Sequence, residues 1–216
     1  MTHTIDLAVR GEQSGPRTEC KSSGILDIGN DATNPDRIYW IPIESDGVTV
    51  FDTYTVNMDI TPTDPDRDEY RYVFAVYRQT GKLSDIATTN GVGELVANTT
   101  LVGPTWTGNH GLRDSAALAA PVTLLQGSYF ISLTFESVSG EALSGPLTVI
   151  GNDMINAFTS GNTWVRHSHL QGTLTVPGVL PDRMTTNDAN LAGMDNTFTW
   201  YDSFWAGIFD SRDVSL

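Results

Sequence analysis

Three small groups of residues in this chain have the types and spacing to do chemistry. His167 and His169, on either side of Ser168, put two imidazoles on one face of an extended strand, where they can share a metal ion or line an oligomer axis. A tetrahedral zinc centre needs further ligands. His3, His110, Cys20 and the scattered carboxylates show no ligand spacing, so solvent-facing histidines are the expected reading. Asp64, Asp66 and Asp68 alternate in a turn, and three carboxylates within five residues resemble the opening of a Ca2+ loop. Such a loop turns on Gly at its sixth position, whereas Glu69 stands there in this chain and Pro65 stiffens the second position. A looser Ca2+ site is the alternative to a solvated acidic turn.

The third group is aromatic: Trp40, Trp106, Trp164, Trp200 and Trp205. Rings on a β surface can stack on sugars, which makes Trp106, Trp164 and Trp205 the candidates for glycan contact. Against this, Phe198, Trp200, Phe204 and Ile208 share one strand face, and core packing is the commoner use of such residues. No G-x-S-x-G elbow, P-loop or H-E-x-x-H motif occurs in the sequence, and in Gly11-Glu12-Gln13-Ser14-Gly15 the serine falls one place late. A carboxylate pair for glycoside cleavage works through spatial separation, which a sequence does not display. The expectation is therefore a non-enzymatic protein with no cofactor, Ca2+ being the alternative.

Charge narrows the partners. Lys and Arg total 12 against 26 Asp and Glu, a formal net charge of -14. That field repels phosphate backbones and anionic lipid, so no nucleic acid and no membrane is expected as principal partner. A cationic protein surface or divalent cations suit it better. Cys20 is the single cysteine, so no intrachain disulfide can form and the fold must rest on its core. The start, MTHTIDLAVRG, has no basic region leading into an apolar run, and no stretch reaches the ~18 apolar residues of a membrane span. Synthesis in a cytoplasm is the expectation.

The elements that must position these residues read almost entirely as strands. In Pro121 to Ser137, PVTLLQGSYFISLTFES, a Gly-containing turn leads into a strand with Tyr129, Ile131, Leu133 and Phe135 on one face. Ser128, Ser132, Thr134 and Glu136 fall mostly on the other, which predicts one wet side. From Val48 to Ile60 the even positions are apolar except Asp52, and the length of the run predicts a bend or bulge near Asp52 and Thr53. Ile38 to Ile43 is apolar on both faces but carries Pro42, which favours an edge or strand end. Tyr70 to Arg78 has the look of a central strand. Later strands are expected at Leu147 to Ile150, at Thr163 to Val176 with an interruption near Gly172, and at Thr197 to Phe209. Arg113 to Ala120 suits either one or two helical turns or a strand leading into Val122.

Two segments stand apart. Gly11 to Asn34 is polar and rich in Gly, Ser and Asn, an extended arm, and Pro177 to Asn196 reads as a loop of about twenty residues that binds something or wraps a neighbour. The expected organisation is an N-terminal strand and arm over residues 1–36, then a single β-sandwich domain over 37–216 with the long loop at 177–196. Turn spacing close to the ~8–12 residues of sandwiches points to an all-β, antiparallel two-sheet sandwich, jelly-roll-like.

Arg37 to Ile43 (RIYWIPI), a strand ending near Ile60, Tyr72 to Ile86 (YVFAVYRQTGKLSDI) and Pro121 to Ser137 together resemble β-sandwich modules of virion structural proteins from tailed bacteriophages. The features shared are a strand ending in Tyr77-Arg78 before a polar turn with Gly81, and the L-x-x-G-x-Y turn of Leu124, Gly127 and Tyr129. The resemblance covers roughly Arg37 to Ser137 and carries no catalytic residue. It implies a non-enzymatic component displayed on the particle exterior: a capsid decoration or cement protein, the alternative being a fibre or receptor-binding module that recognises host-surface glycan. It further implies capsid or other virion proteins as partners, a homo-oligomer with a trimer favoured, and location in the virion after synthesis in the host cytoplasm. No heptad or collagen-like stalk is present in the sequence, which favours the decoration protein.

Overall fold

Side chains that alternate in character prefer the pleated surface of a sheet, and the chain has little else. The computed structural model describes residues 24–27, 37–45, 47–60, 70–105, 111–114, 117–137, 147–153, 170–195, 202–204 and 206–213. In chain order the strands are β1 (Gly24–Asp27), β2 (Arg37–Ser45), β3 (Thr49–Phe51), β4 (Thr53–Ile60) and β5 (Tyr70–Gln79). They continue with β6 (Gly93–Leu95), β7 (Leu101–Thr105), β8 (Gly111–Asp114), β9 (Val122–Leu124) and β10 (Gly127–Ser137). The last are β11 (Leu147–Asp153), β12 (Leu170–Leu174), β13 (Leu191–Asp195), β14 (Asp202–Phe204) and β15 (Ala206–Phe209). Helix among the described residues is confined to 3-10 turns at Leu83–Asp85 and Ser211–Asp213. The protein is all-β, its ladders are antiparallel, and the sheet is strongly curled.

One hydrogen-bonded set runs β13-β12-β2-β10-β5-β6, with β7 also on β5. A second runs β1-β11-β4-β15, with β14 on β11 and β8 on β4, and β3 pairs with β9. At the centre β10 lies between β2 and β5, so that Ile131 faces Ile41 on one side and Val76 on the other. One face of these three strands carries Tyr39, Ile41, Phe74, Val76, Ile131 and Leu133, packed in one core cluster with Phe51, Tyr54 and Ile208. Tyr54 of β4 stacks on Phe74 of β5 with ring centroids 4.9 Å apart, which ties the two strand sets together. Fully burying a side chain of that size stabilises by about 1.5–3 kcal/mol.

The other face is not wet. Ser132 and Thr134 are wholly buried, and their hydroxyls donate to the carbonyls of Ala75 at 3.2 Å and Arg37 at 2.7 Å. A second core cluster covers this face, with Trp40, Tyr77 and Phe130 from the sheet and Ile86, Val92 and Met184 from segments that fold over it. Over Tyr129 to Thr134 the alternation in β10 therefore separates two buried faces. Its polar positions survive burial because each hydroxyl finds a neighbouring strand's carbonyl.

The expected break near Asp52 is present: pairing passes from β3–β9 to β4–β15 across that residue. Pro42 is at neither an edge nor a strand end: it lies inside β2, opposite Phe130 of β10, and the described pairing of β2 with β12 covers Arg37 to Trp40. No interruption occurs at Gly172, which lies within β12. A Cβ there would sit 2.9 Å from the Trp40 ring, so glycine marks a close packing contact and the bulge falls one residue later, between Thr173 and Leu174. In the Ala-rich segment Arg113 and Asp114 belong to β8, the described residues 117–120 are neither helix nor strand and bend at 119–120, and β9 begins at Val122. The single terminal strand expected at Thr197 to Phe209 has, in its described part, two pieces with different partners, β14 on β11 and β15 on β4. Within the expected arm, β1 pairs with β11, Ile25 opposite Ile150.

Candidate functional site

Every site residue named from the sequence falls outside the described residues: His167 and His169, Asp64, Asp66 and Asp68, and Trp106, Trp164 and Trp205. Among the described residues no group of three metal-ligating side chains comes together. Trp40, the one described tryptophan, is fully buried and edge-on to Tyr77, with centroids 6.0 Å apart.

The densest polar chemistry described is instead the corner at Asp52. This carboxylate is only 6% exposed. Its Oδ1 accepts the Ser211 N–H at 2.8 Å and the Thr53 hydroxyl at 2.9 Å, and its Oδ2 accepts the Ser211 hydroxyl at 2.6 Å. Its backbone adds two bonds, its N–H to Phe209 O at 3.1 Å and its carbonyl from Leu118 N–H at 2.7 Å. Burial pushes the Asp52 carboxyl upward, but the hydrogen bonds from Ser211 and Thr53 outweigh burial and the nearby Asp210 charge, leaving it below the usual carboxylate range. Asp210 is similarly enclosed, at 5% exposure. The Arg212 guanidinium grips it in a fork, Nε at 2.8 Å and Nη2 at 2.5 Å, and holds its carboxyl low against the opposing effect of burial. The arrangement locks the final 3-10 turn onto the β3–β4 corner. Both hydroxyls direct their protons at the Asp52 carboxylate, which gives them a structural use.

A second knot sits around Thr99. Asn98 takes a φ of 64°, which Asn tolerates, and turns Thr99 inward. The Thr99 hydroxyl accepts Val76 N–H at 3.0 Å and donates to Val96 O at 2.7 Å, while Tyr54 donates its hydroxyl to Thr99 O. Burial drives the Tyr54 phenol far above its usual range, so it is a permanent donor.

The long loop is neither open nor wholly a loop. Its residues 191–195 form β13, and 177–190 fold back on the protein as a strap. The hydroxyl of Tyr77 donates to Pro181 O at 2.7 Å, Met184 exchanges backbone bonds with Val92 and Gly93, and Met184 is fully buried. Gly91, at φ 64°, closes residues 81–92 against the strap where a Cβ would collide with the Met184 carbonyl. Thr185 and Asn187 donate to the carbonyls of Thr88 and Ala87 at 2.7 and 2.9 Å. These bonds explain how the strap covers the second face of the sheet.

Neither protein-family models nor curated proteins match the chain. Sequence reasoning marked Asp52 only as a break in alternation. Its partners Ser211 and Thr53 carry no motif, and nothing in their spacing announces the lock.

Proposed function

We propose that this chain is a non-enzymatic structural protein of a tailed-phage virion, displayed on the particle exterior as a capsid decoration or cement protein. The observation that carries the reading is the placement of three of the four resembling segments: β2, β10 and β5 are consecutive ladder neighbours, in register over Trp40, Ser132 and Ala75, while the fourth, ending at Ile60, is β4 of the other strand set. The finer architecture proposed with it is an antiparallel two-sheet sandwich, jelly-roll-like. Stacking of Tyr54 on Phe74, and the shared cluster of Ile208 with Ile41 and Ile131, supports two packed layers.

The polar chemistry of the described residues fits a building block. Asp52, Asp210 and Thr99 spend their hydrogen bonds on turns and corners, and Ser132 and Thr134 on the neighbouring strands. A net charge of -14 suits a basic protein surface and keeps the chain soluble before assembly. The partners are capsid or other virion proteins and further copies of this chain, a trimer being the usual symmetric unit. Its location is the virion, after synthesis in the host cytoplasm.

The test is genetic and physical. Particles assembled without this protein should lose heat or osmotic stability and regain it when the purified chain is added back. Unchanged particles with no add-back binding overturn the reading. A glycan-array signal that disappears in Trp106→Ala, Trp164→Ala or Trp205→Ala while the fold stays intact would make it a receptor-recognition module instead.

A further inference from the structure

Two loops cover the second face of the central sheet: residues 81–92, between β5 and β6, and the strap at 177–190, between β12 and β13. Each is closed at its neck. Thr80 and Gly81 donate their N–H groups to Val92 O at 2.9 and 3.1 Å, and Thr175 donates its N–H to Asn190 O at 2.9 Å. A loop whose ends meet in this way can open while the strands it springs from keep their ladders.

The two loops depend on each other. The Thr185 hydroxyl donates to Thr88 O at 2.7 Å and Asn187 Nδ2 to Ala87 O at 2.9 Å, while Thr186 N–H donates to Ile86 O and Val92 N–H to Met184 O, both at 3.0 Å. Ile86 and Val92 from one loop and Met184 from the other enter the same buried cluster. Were the strap to lift alone, Ile86 and Val92 would lose Met184 as a packing partner. Were the first loop to lift alone, the buried Thr185 hydroxyl would lose its acceptor. Outward, residues 87–90 are exposed throughout, as are Thr186, Asn187 and Ala189. The strap is fastened below by Tyr77 to Pro181 O and by backbone bonds to Gly93 and Leu95 of β6. Beneath it β10 holds a ladder on each side, to β2 and to β5. Segments with exposed outer sides and few anchors open at lower cost than a strand paired on both edges.

We infer that residues 81–92 and 177–190 are one lid, which opens as a unit while β2, β10 and β5 stay paired, and whose opening bares the apolar face of Trp40, Tyr77 and Phe130. The protein thereby keeps in reserve an apolar surface that its closed form hides. The inference stands apart from the virion reading and does not need it.

The experiment is native-state amide hydrogen exchange on the full chain. Gly91, bonded within its own loop to Thr88 O, and Thr185, bonded within the strap to Arg183 O, should share one level of protection with Val92, Met184 and Thr186. That level should be lower by roughly tenfold or more than the protection of Ile131 and Leu133 in β10. Asn187→Ala, an exposed position whose amide reaches the other loop, should speed exchange at Gly91 and Thr185 by the same factor, about threefold to tenfold. Ser211→Ala, at the Asp52 corner on the opposite side of the sheet, should speed exchange at Ile131 and Leu133 and leave the lid amides unchanged. Gly91 unmoved by Asn187→Ala while Thr185 responds overturns the single unit. Lid amides as protected as Ile131, or speeded equally by Ser211→Ala, show opening only through global unfolding and overturn the lid.

Discussion

Asp52 sits where one alternating run must change partners, and its carboxylate fastens the chain's last described turn to that point. Replacing it with Ala removes the acceptor of three hydrogen bonds, leaving the buried Thr53 hydroxyl unpaired while exposed Ser211 turns to water, which should cost about 1–3 kcal/mol in denaturant unfolding. Ser211→Ala, which keeps the backbone bond, should cost about 1 kcal/mol. The pH dependence has a definite sign. Asp52 and Asp210 are both held below their ordinary range, so their contribution is complete above the unfolded carboxylate value near ~4 and is lost as pH falls through the folded values. Unfolding followed from pH 6 to pH 2 should show wild-type stability falling through this window, and Asp52→Asn falling less steeply. An Asp52→Asn curve parallel to wild type contradicts the assignment. The break at Asp52 was legible in the alternation, but the lock was not, because Ser211 lies 159 residues away and bears no signature.

Strand β10 shows how far alternation alone carries. Its apolar face was legible residue by residue, but the burial of Ser132 and Thr134 was not, because it depends on residues 81–92 and the strap at 177–190 closing over them. Lids built from loops have no periodicity to read. The strap can be tested through its anchors. Met184→Ala empties a fully buried position and should destabilise by about 2–5 kcal/mol, while Tyr77→Phe, losing one bond to Pro181, should cost about 1 kcal/mol. Limited proteolysis should find new cleavage within 177–190 in both variants before global unfolding. Gly172→Ala should lower the melting temperature, because the new methyl overlaps the Trp40 ring and overpacking of this kind costs about 1–3 kcal/mol. A Gly172→Ala protein as stable as wild type would contradict the packing of β12 on β2.

At the scale of the whole molecule, composition and topology point the same way. The all-β class was legible because alternating runs recur along the chain, and three of the four segments of the phage resemblance were separate in sequence yet adjacent in one ladder. The candidate ligands were chosen by residue type alone, and type says nothing of which loops a curled sheet gathers together. The most direct measurement is an electron-microscopy map of purified particles from a host that makes this protein. The reading predicts density for this sheet on the outer surface of the shell. Particles whose maps lack that density, with the protein found only free in the cytoplasm, would contradict it.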